Sequence, residues 1–213
     1  CYYYIKNKSF IFSSEIKGLS ASNIDIILDE KKFLRNPKEL EGYFTTIYKN
    51  VNIVPPGSVF EINLRNLNYT IKRWWNGLNN IPEISLNYKK SRENLREKLI
   101  EATKIRLISD VDIAISLSGG IDSSTIFSII NSFCNKDKVN LNPFVVKDNN
   151  LVFNNAFELT NLYKKKLELV ETNSSPFENI KFKLATLELP QLYTNQLDIY
   201  KQQRKKGFNV SID

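Results

Sequence analysis

Apolar residues in the first third of this chain fall mainly into short strand-like runs, and beyond it they alternate between strand-like and helix-like blocks. Tyr2 to Ile5 and Phe10 to Ser13 are short aromatic or β-branched runs around Lys6-Asn7-Lys8, which predicts a hairpin. Ser58 to Leu64 and Tyr69 to Trp75, joined through Arg65-Asn66, predict a second. Pro55-Pro56-Gly57 punctuates the entrance to it, because proline fixes φ and glycine permits the turn. Pro37 to Tyr48 reads as helical between the two.

Asn76 to Tyr88 is polar, carries Gly77 and Pro82 and holds no period, so a linker is expected at 79–88, separating a domain over 1–78 from one over 89–213. Beyond it Leu95, Leu99, Ala102, Ile105 and Ile108 recur at three and four residues. That spacing predicts an amphipathic helix with Ser91 as N-cap, packed on a sheet. The rest alternates: strand Asp112 to Leu117, helix to Phe133, strand Leu141 to Val146, helix Asn155 to Tyr163, strand Leu167 to Val170, a helical region Phe177 to Lys205, and strand Phe208 to Ile212. The expected fold class is α/β, a doubly wound parallel sheet preceded by a β-rich α+β region.

Composition narrows the chemistry more than the fold. The chain of 213 residues is 42% hydrophobic and 25% charged, which is ordinary globular material. No apolar run approaches the roughly 18 residues of a membrane span, and the first residues lack the pattern of a signal peptide, so a soluble, cytoplasmic protein is expected. With two cysteines and no histidine, neither a thiolate zinc site nor an imidazole-based nucleophile mechanism can be built, and any metal would sit on oxygen. The net charge of +7 is spread rather than striped, which argues against nucleic acid. Lys164-Lys165-Lys166 and Arg204-Lys205-Lys206 fall near predicted helix ends, where cations favour the dipole.

The most informative run is Ser116 to Ser124, SLSGGIDSS, between the strand and the helix that follows it. Gly119 and Gly120 lack a Cβ and can present successive N–H groups to an anion, and the helix points its positive end at the same place. Ser118, Ser123 and Ser124 add hydroxyl donors. Asp122 would be repulsive beside a polyphosphate unless it caps the helix or holds magnesium, and the cap with a metal contact is the reading favoured here. No Gly-Lys-Ser/Thr ending is present, so the loop is not that of the usual kinases and GTPases. The alternative is a flexible turn with a capping Asp.

On these residues the chain resembles the glutamine-dependent asparagine synthetase family. RLISDVDIAISLSGGIDSS is similar to the family's ATP pyrophosphatase signature and its flanks, with Asp112 where the family usually has proline. YYYIKNKSFIFSSEIKGL, containing Glu15 and Lys17, is similar to a hairpin of the family's glutaminase domain. VPPGSVFEINL followed by IKRWW is similar to the end of that domain. The resemblance implies the back part of an Ntn-hydrolase-type glutaminase domain and the front of an ATP-binding synthetase domain.

It implies ATP and Mg²⁺ as cofactors and aspartate, glutamine and ATP as small-molecule partners, with no nucleic acid or membrane; a homodimer is the assembly to test. The implied reaction activates a carboxylate as an acyl-adenylate, releases pyrophosphate, and lets ammonia displace AMP. Ser118, Gly119, Gly120, Asp122 and Ser123 are the residues expected to bind the phosphates, Asp122 being also the catalytic and metal residue. Leu117 and Val146 would offer backbone contacts to the nucleotide, and Asp213 a weaker one.

The family's nucleophile is an N-terminal cysteine that uses its own amino group as base. Cys1 runs straight into a late hairpin, so it is read as a mismatch and the chain as an interior fragment. The rival readings are the same ATP chemistry on another carboxylate, of an antibiotic, peptide or surface sugar, and a catalytically dead nucleotide-binding fragment. Tyr2, Tyr3, Tyr4, Trp74 and Trp75 are expected in strand and interdomain packing.

Overall fold

A computed structural model of the chain describes residues 1–6, 9–34, 45–81, 87–134, 140–147, 151–172, 180–188 and 195–213. It divides into two units, residues 1–82 with 177–192 and residues 83–176 with 193–213. The second includes 83–88 of the expected linker, and 177–192 joins the first unit although it lies in sequence between elements of the second.

In the first unit both expected hairpins form. Strands β1 (Tyr2–Lys6) and β2 (Ser9–Ser13) pair antiparallel with Tyr4 opposite Ile11. β3 (Asn52–Ile53), which the pattern did not announce, adds to β1 in the order β2-β1-β3. β4 (Ser58–Ile62) and β5 (Tyr69–Arg73) pair with Phe60 opposite Ile71. Gly57 at the entrance has φ +65°, and a Cβ there would come within 2.4 Å of the Trp75 carbonyl oxygen, so both backbone and space require glycine.

Phe60 packs at 4.7 Å from the Tyr3 ring, 5.4 Å from Phe10 and 5.0 Å from Tyr69, which joins the two hairpins through an aromatic cluster. Tyr3 and Tyr4 are buried as expected, but Trp74 and Trp75 are exposed.

The helix expected over Pro37 to Tyr48 does not extend to its end. Residues 37–44 lie outside the described residues, and Tyr48 instead forms an antiparallel bridge with Leu28. A short helix, α2 (Glu30–Phe33), precedes it and is capped by Asp29, which accepts from the Lys32 amide at 3.3 Å. The earlier α1 (Ile16–Ser20) begins without a cap from its own flank. Glu188 supplies it, accepting from the Ile16 amide at 2.8 Å and from Lys17 at 2.6 Å. These bonds tie 177–192 to the first unit. Glu15 and Lys17 form a surface ion pair at 3.0 Å.

The second unit opens with α3 (Tyr88–Ile105). Its N-cap is Asn87, whose side chain accepts from the Lys90 amide at 3.1 Å, and not Ser91. Ile105 and Ile108 are exposed, and α3 rests on the next helix instead of the sheet, because that helix and the one after it already fill the sheet's face.

Strands β6 (Ile113–Ser116), β7 (Leu141–Val146), β8 (Glu168–Val170) and β9 (Val210–Ile212) form a parallel sheet in the order β8-β7-β6-β9. Ile113, Ile115 and Leu117 point to one face with Phe127, Ile130 and Ala156 from α4 (Ile121–Ile129), the π-helical turn that continues it, and α5 (Leu151–Leu162). Ala114, Phe144 and Val170 meet Ile199 of α7 (Gln196–Lys205) on the other. Helices on both faces and a chain that steps outward from β6 to β8, then crosses to β9 on the far side, make the sheet doubly wound. The helical region expected over Phe177 to Lys205 is two helices, α6 (Ile180–Leu187) in the first unit and α7 in the second.

Lys164 and Lys165 close the end of α5 through their backbone amides, which donate to the Asn161 and Thr160 carbonyls at 3.0 and 2.9 Å, and Lys166 pairs with Glu168 at 3.0 Å. Lys206 pairs with the same carboxylate from the other side. Hydrogen bonds from Lys206 first, then from Lys166, hold the Glu168 carboxyl below its usual range. A lowered folded value means that this stability is present above the unfolded pKa of about 4.3 and is lost as pH falls through the folded value. Denaturation measured against pH is therefore expected to show stability falling below about pH 4.3, and Glu168→Gln to flatten that fall.

Candidate functional site

Ser116 and Ser118 lie two positions apart, on the face opposite Ile115 and Leu117, so strand alternation aims both away from the core cluster that those two residues enter. The chain leaves β6 at its carboxyl end, passes Gly119 at φ +83° and starts α4 at Gly120. Only Gly119 needs the left-handed conformation; Gly120, expected to need it as well, is extended at φ −72° and ψ 167°.

The first intrahelical bond is Ser124 N–H to the Gly120 carbonyl at 3.1 Å, which leaves the amides before it as the donors of a helix N-terminus. The Ser118 and Ser123 hydroxyls meet at 3.0 Å, and the Gly120 amide donates to Ser118 Oγ at 3.3 Å. These bonds draw the loop into a cradle.

Beside it lies a cavity of about 560 Å³ lined by Ser118, Asp122 and Ser123 on one side and by Phe144, Val146 and Phe153 on another. It sits where strand order reverses, between the carboxyl ends of β6 and β9, the place at which open α/β sheets take ligands. Its polar and apolar walls suit a ligand with an anionic tail and a flat apolar body.

The expected residues divide here. Ser118, Asp122, Ser123 and Val146 line the cavity, and Gly119 and Gly120 form the turn beside it. Asp122 is not the cap: Gly120 holds that position, and no side chain caps α4. Its carboxylate lies in the first helical turn, free of that duty and facing the cavity. Ser124 faces a separate groove with Ile121 and Leu99. Leu117 is fully buried and its amide is bonded to the Phe144 carbonyl at 2.8 Å, so its side chain belongs to the core and its N–H is engaged.

Sequence reading missed Ser116, Asn195, Gln196 and Ile199 as lining residues. Ser116 could have been found from its period-two relation to Ser118. The others lie on α7 and its N-terminal flank, and nothing in their spacing marks them. Asp213 lines the cavity from the end of β9. Its carboxylate accepts from Ser116 Oγ, Ser211 Oγ and the Tyr200 hydroxyl. Burial, and then the bond to Asp213, push the Tyr200 hydroxyl above its ordinary pKa, so it remains a donor across the neutral range.

Among the described residues no group of three acidic, Cys or His side chains could hold a metal by itself. One carboxylate beside a phosphate cradle does fit magnesium, which takes one or two carboxylates together with substrate phosphates and water. Asp122, which lines the cavity, could supply that carboxylate.

Residues 94–144, which contain β6, the loop and α4, match the family model for asparagine synthase. A protein of Methanocaldococcus jannaschii named as a glutamine-hydrolysing asparagine synthetase is 31% identical over 150 residues, 65% of this chain and 27% of that protein. Over this part of its length the chain is similar to asparagine synthetases. Asparagine synthetase [glutamine-hydrolyzing] 1 of Bacillus subtilis is 29% identical over 140 residues, covering 62% of this chain and 21% of that one. Amidase chyE of Penicillium rubens is 30% identical over 132 residues, 61% of this chain and 19% of its own length. The chain thus spans about a quarter or less of these curated relatives. Among its described residues no helix is long and apolar enough to cross a membrane.

Proposed function

We propose that the second unit binds ATP at the end of β6 and belongs to a protein that activates a carboxylate by adenylation, then converts it to an amide with ammonia drawn from glutamine. The observation that carries this reading is the cradle of Gly119, Ser118 and Ser123 opening on a cavity at the reversal point of the sheet. In the first step an oxygen of the acceptor carboxylate attacks the α-phosphorus, and the bond to the β-phosphate breaks. The loop amides and the two serine hydroxyls hold the departing pyrophosphate, where their donors meet the charge that develops on it. Magnesium, held by Asp122 and the phosphates, would neutralise part of that charge. In the second step ammonia attacks the acyl carbon, the bond to AMP breaks, and the nitrogen gives up a proton to solvent.

Aspartate is the acceptor proposed first, on the strength of the asparagine synthetase relatives. A second reading, another carboxylic acid, is supported by the comparable similarity to an amidase. Assays of the full-length protein with aspartate and with a panel of other acids separate them. AMP and pyrophosphate are the expected products, and ADP with phosphate would reject the chemistry for both. The 213-residue chain itself tests the site: Gly119→Ala forces a side chain into left-handed backbone, and calorimetric titration should show ATP affinity falling about tenfold. Unchanged affinity would remove the loop from the site.

A further inference from the structure

The apolar stripe that predicts α3 is not covered by the sheet. Leu95 and Leu99 stay exposed, Leu95 to 60%, and border a groove of about 530 Å³ between α3 and α4. Ile121 and Phe133, also exposed, mark the two ends of its α4 side. They stand twelve residues apart, about 18 Å or three helical turns. An exposed apolar strip of this kind marks a surface that another molecule covers.

Ser124, Ser128 and Ser132 recur one turn apart along α4 and its π-helical continuation, so small side chains line the middle of the groove and a helix backbone can come close. Polar demands there are partly met from within. The Thr125 hydroxyl donates to the Ile121 carbonyl at 2.7 Å, and the Ser132 and Tyr163 hydroxyls bond at 2.9 Å. Arg92 and Arg96 stand one turn apart on α3, and none of the described lining residues is acidic. Arg96 lies over the Phe133 ring at 5.0 Å, which holds its guanidinium beside apolar surface. Among the described residues neither arginine makes an ion pair. Two guanidinium groups next to an apolar trough complement carboxylates that stand next to an apolar ridge.

We propose that this groove takes an acidic amphipathic helix of a partner protein, with its apolar side chains against Leu95, Leu99, Ile121 and Phe133 and its carboxylates on Arg92 and Arg96. Helices bound in grooves anchor through residues at i, i+3, i+4 and i+7. The α3 wall presents the same spacing in Arg92, Leu95, Arg96 and Leu99. A basic helix would bring like charges together, and the chain's net charge of +7 extends that preference to longer range. The ATP reading is not needed for this: Asp122, Ser123 and Ile126 of α4 line the cavity, whereas Ser124, Thr125 and Ser128 line the groove.

Fluorescence anisotropy with the full-length protein tests it, using a labelled, helix-stapled peptide about four turns long with leucines at the anchor positions and glutamates beside them. The same peptide with lysines for glutamates is the comparison. The glutamate peptide is expected to bind at least about tenfold more tightly, and added salt to narrow the difference. Arg92→Glu combined with Arg96→Glu should abolish the preference, and Ser128→Trp, which fills the trough, should weaken both peptides about tenfold. Chemical denaturation of each variant shows that its fold is kept. The two arginines are exposed, so their reversal decides the matter if Ser128→Trp does not fold. Equal binding of the two peptides, or a preference that survives the reversal, overturns the inference. Absence of binding overturns it too, because the groove is then filled by the protein's own remainder. Self-association seen by sedimentation and lost on the same reversal would assign the groove to a second copy instead.

Discussion

Asp122→Ala in the full-length protein is expected to lower ATP-dependent amide formation by about a hundredfold or more while glutamine hydrolysis continues. The magnitude follows from removing a single group that stabilises charge as it develops in the transition state, which costs about 10²–10³ in rate. Asp122 is suited to that role because Gly120 caps the helix, leaving the carboxylate turned to the cavity with Ser118 and Ser123. Steady-state assays of the two half-reactions decide it. A variant that loses both equally has lost its fold, and one that keeps amidation shows that the carboxylate holds no essential metal.

The largest effect on stability is expected from Phe127→Ala. Phe127 is 0% exposed, sits in the core between β6 and α4, and meets the Tyr163 ring edge-on at 5.7 Å. Truncating a buried phenylalanine costs about 3–5 kcal/mol, lost transfer energy plus the cavity left behind. Against a domain stability of about 5–15 kcal/mol, that is a large share. Chemical denaturation should show the second unit's transition moving to much lower denaturant, with tripolyphosphate binding lost in parallel because α4 carries the loop's donors. A shift equivalent to less than about 1 kcal/mol would mean that the helix is not seated on the sheet through this ring.

The relation between the proposed function and the fold is economical in residues. Strand β6 contributes core through Ile113, Ile115 and Leu117 on one face and chemistry through Ser116 and Ser118 on the other. The same alternation that builds the sheet therefore points the site's hydroxyls outward.

Local chemistry was legible in the sequence wherever the physical cause was itself local. The two hairpins follow from short aromatic and β-branched runs with turn residues between them, and strand β7 matches its expected bounds, carried by Leu141 and the run Phe144-Val145-Val146. The loop was readable because glycine at Gly119 and the serines around it express a backbone requirement that needs no distant partner. Helix caps were less legible: Asn87 displaces Ser91 and Gly120 displaces Asp122, since several nearby side chains can begin a helix and packing selects among them.

Tertiary structure alone decided the rest. Asp213 becomes part of the site only because β9 pairs beside β6, and Gln196 and Tyr200 only because α7, packed on β7 and β8, brings both side chains to that pair. Glu188 caps a helix 172 residues away in sequence, which assigns its segment to the first unit against the order of the chain. The sequence determined most elements and the glycine turn between β6 and α4 through short-range sterics and periodicity. Which elements became neighbours, and so which side chains surround the cavity, depended on strand order and buried contacts that no spacing along the chain records.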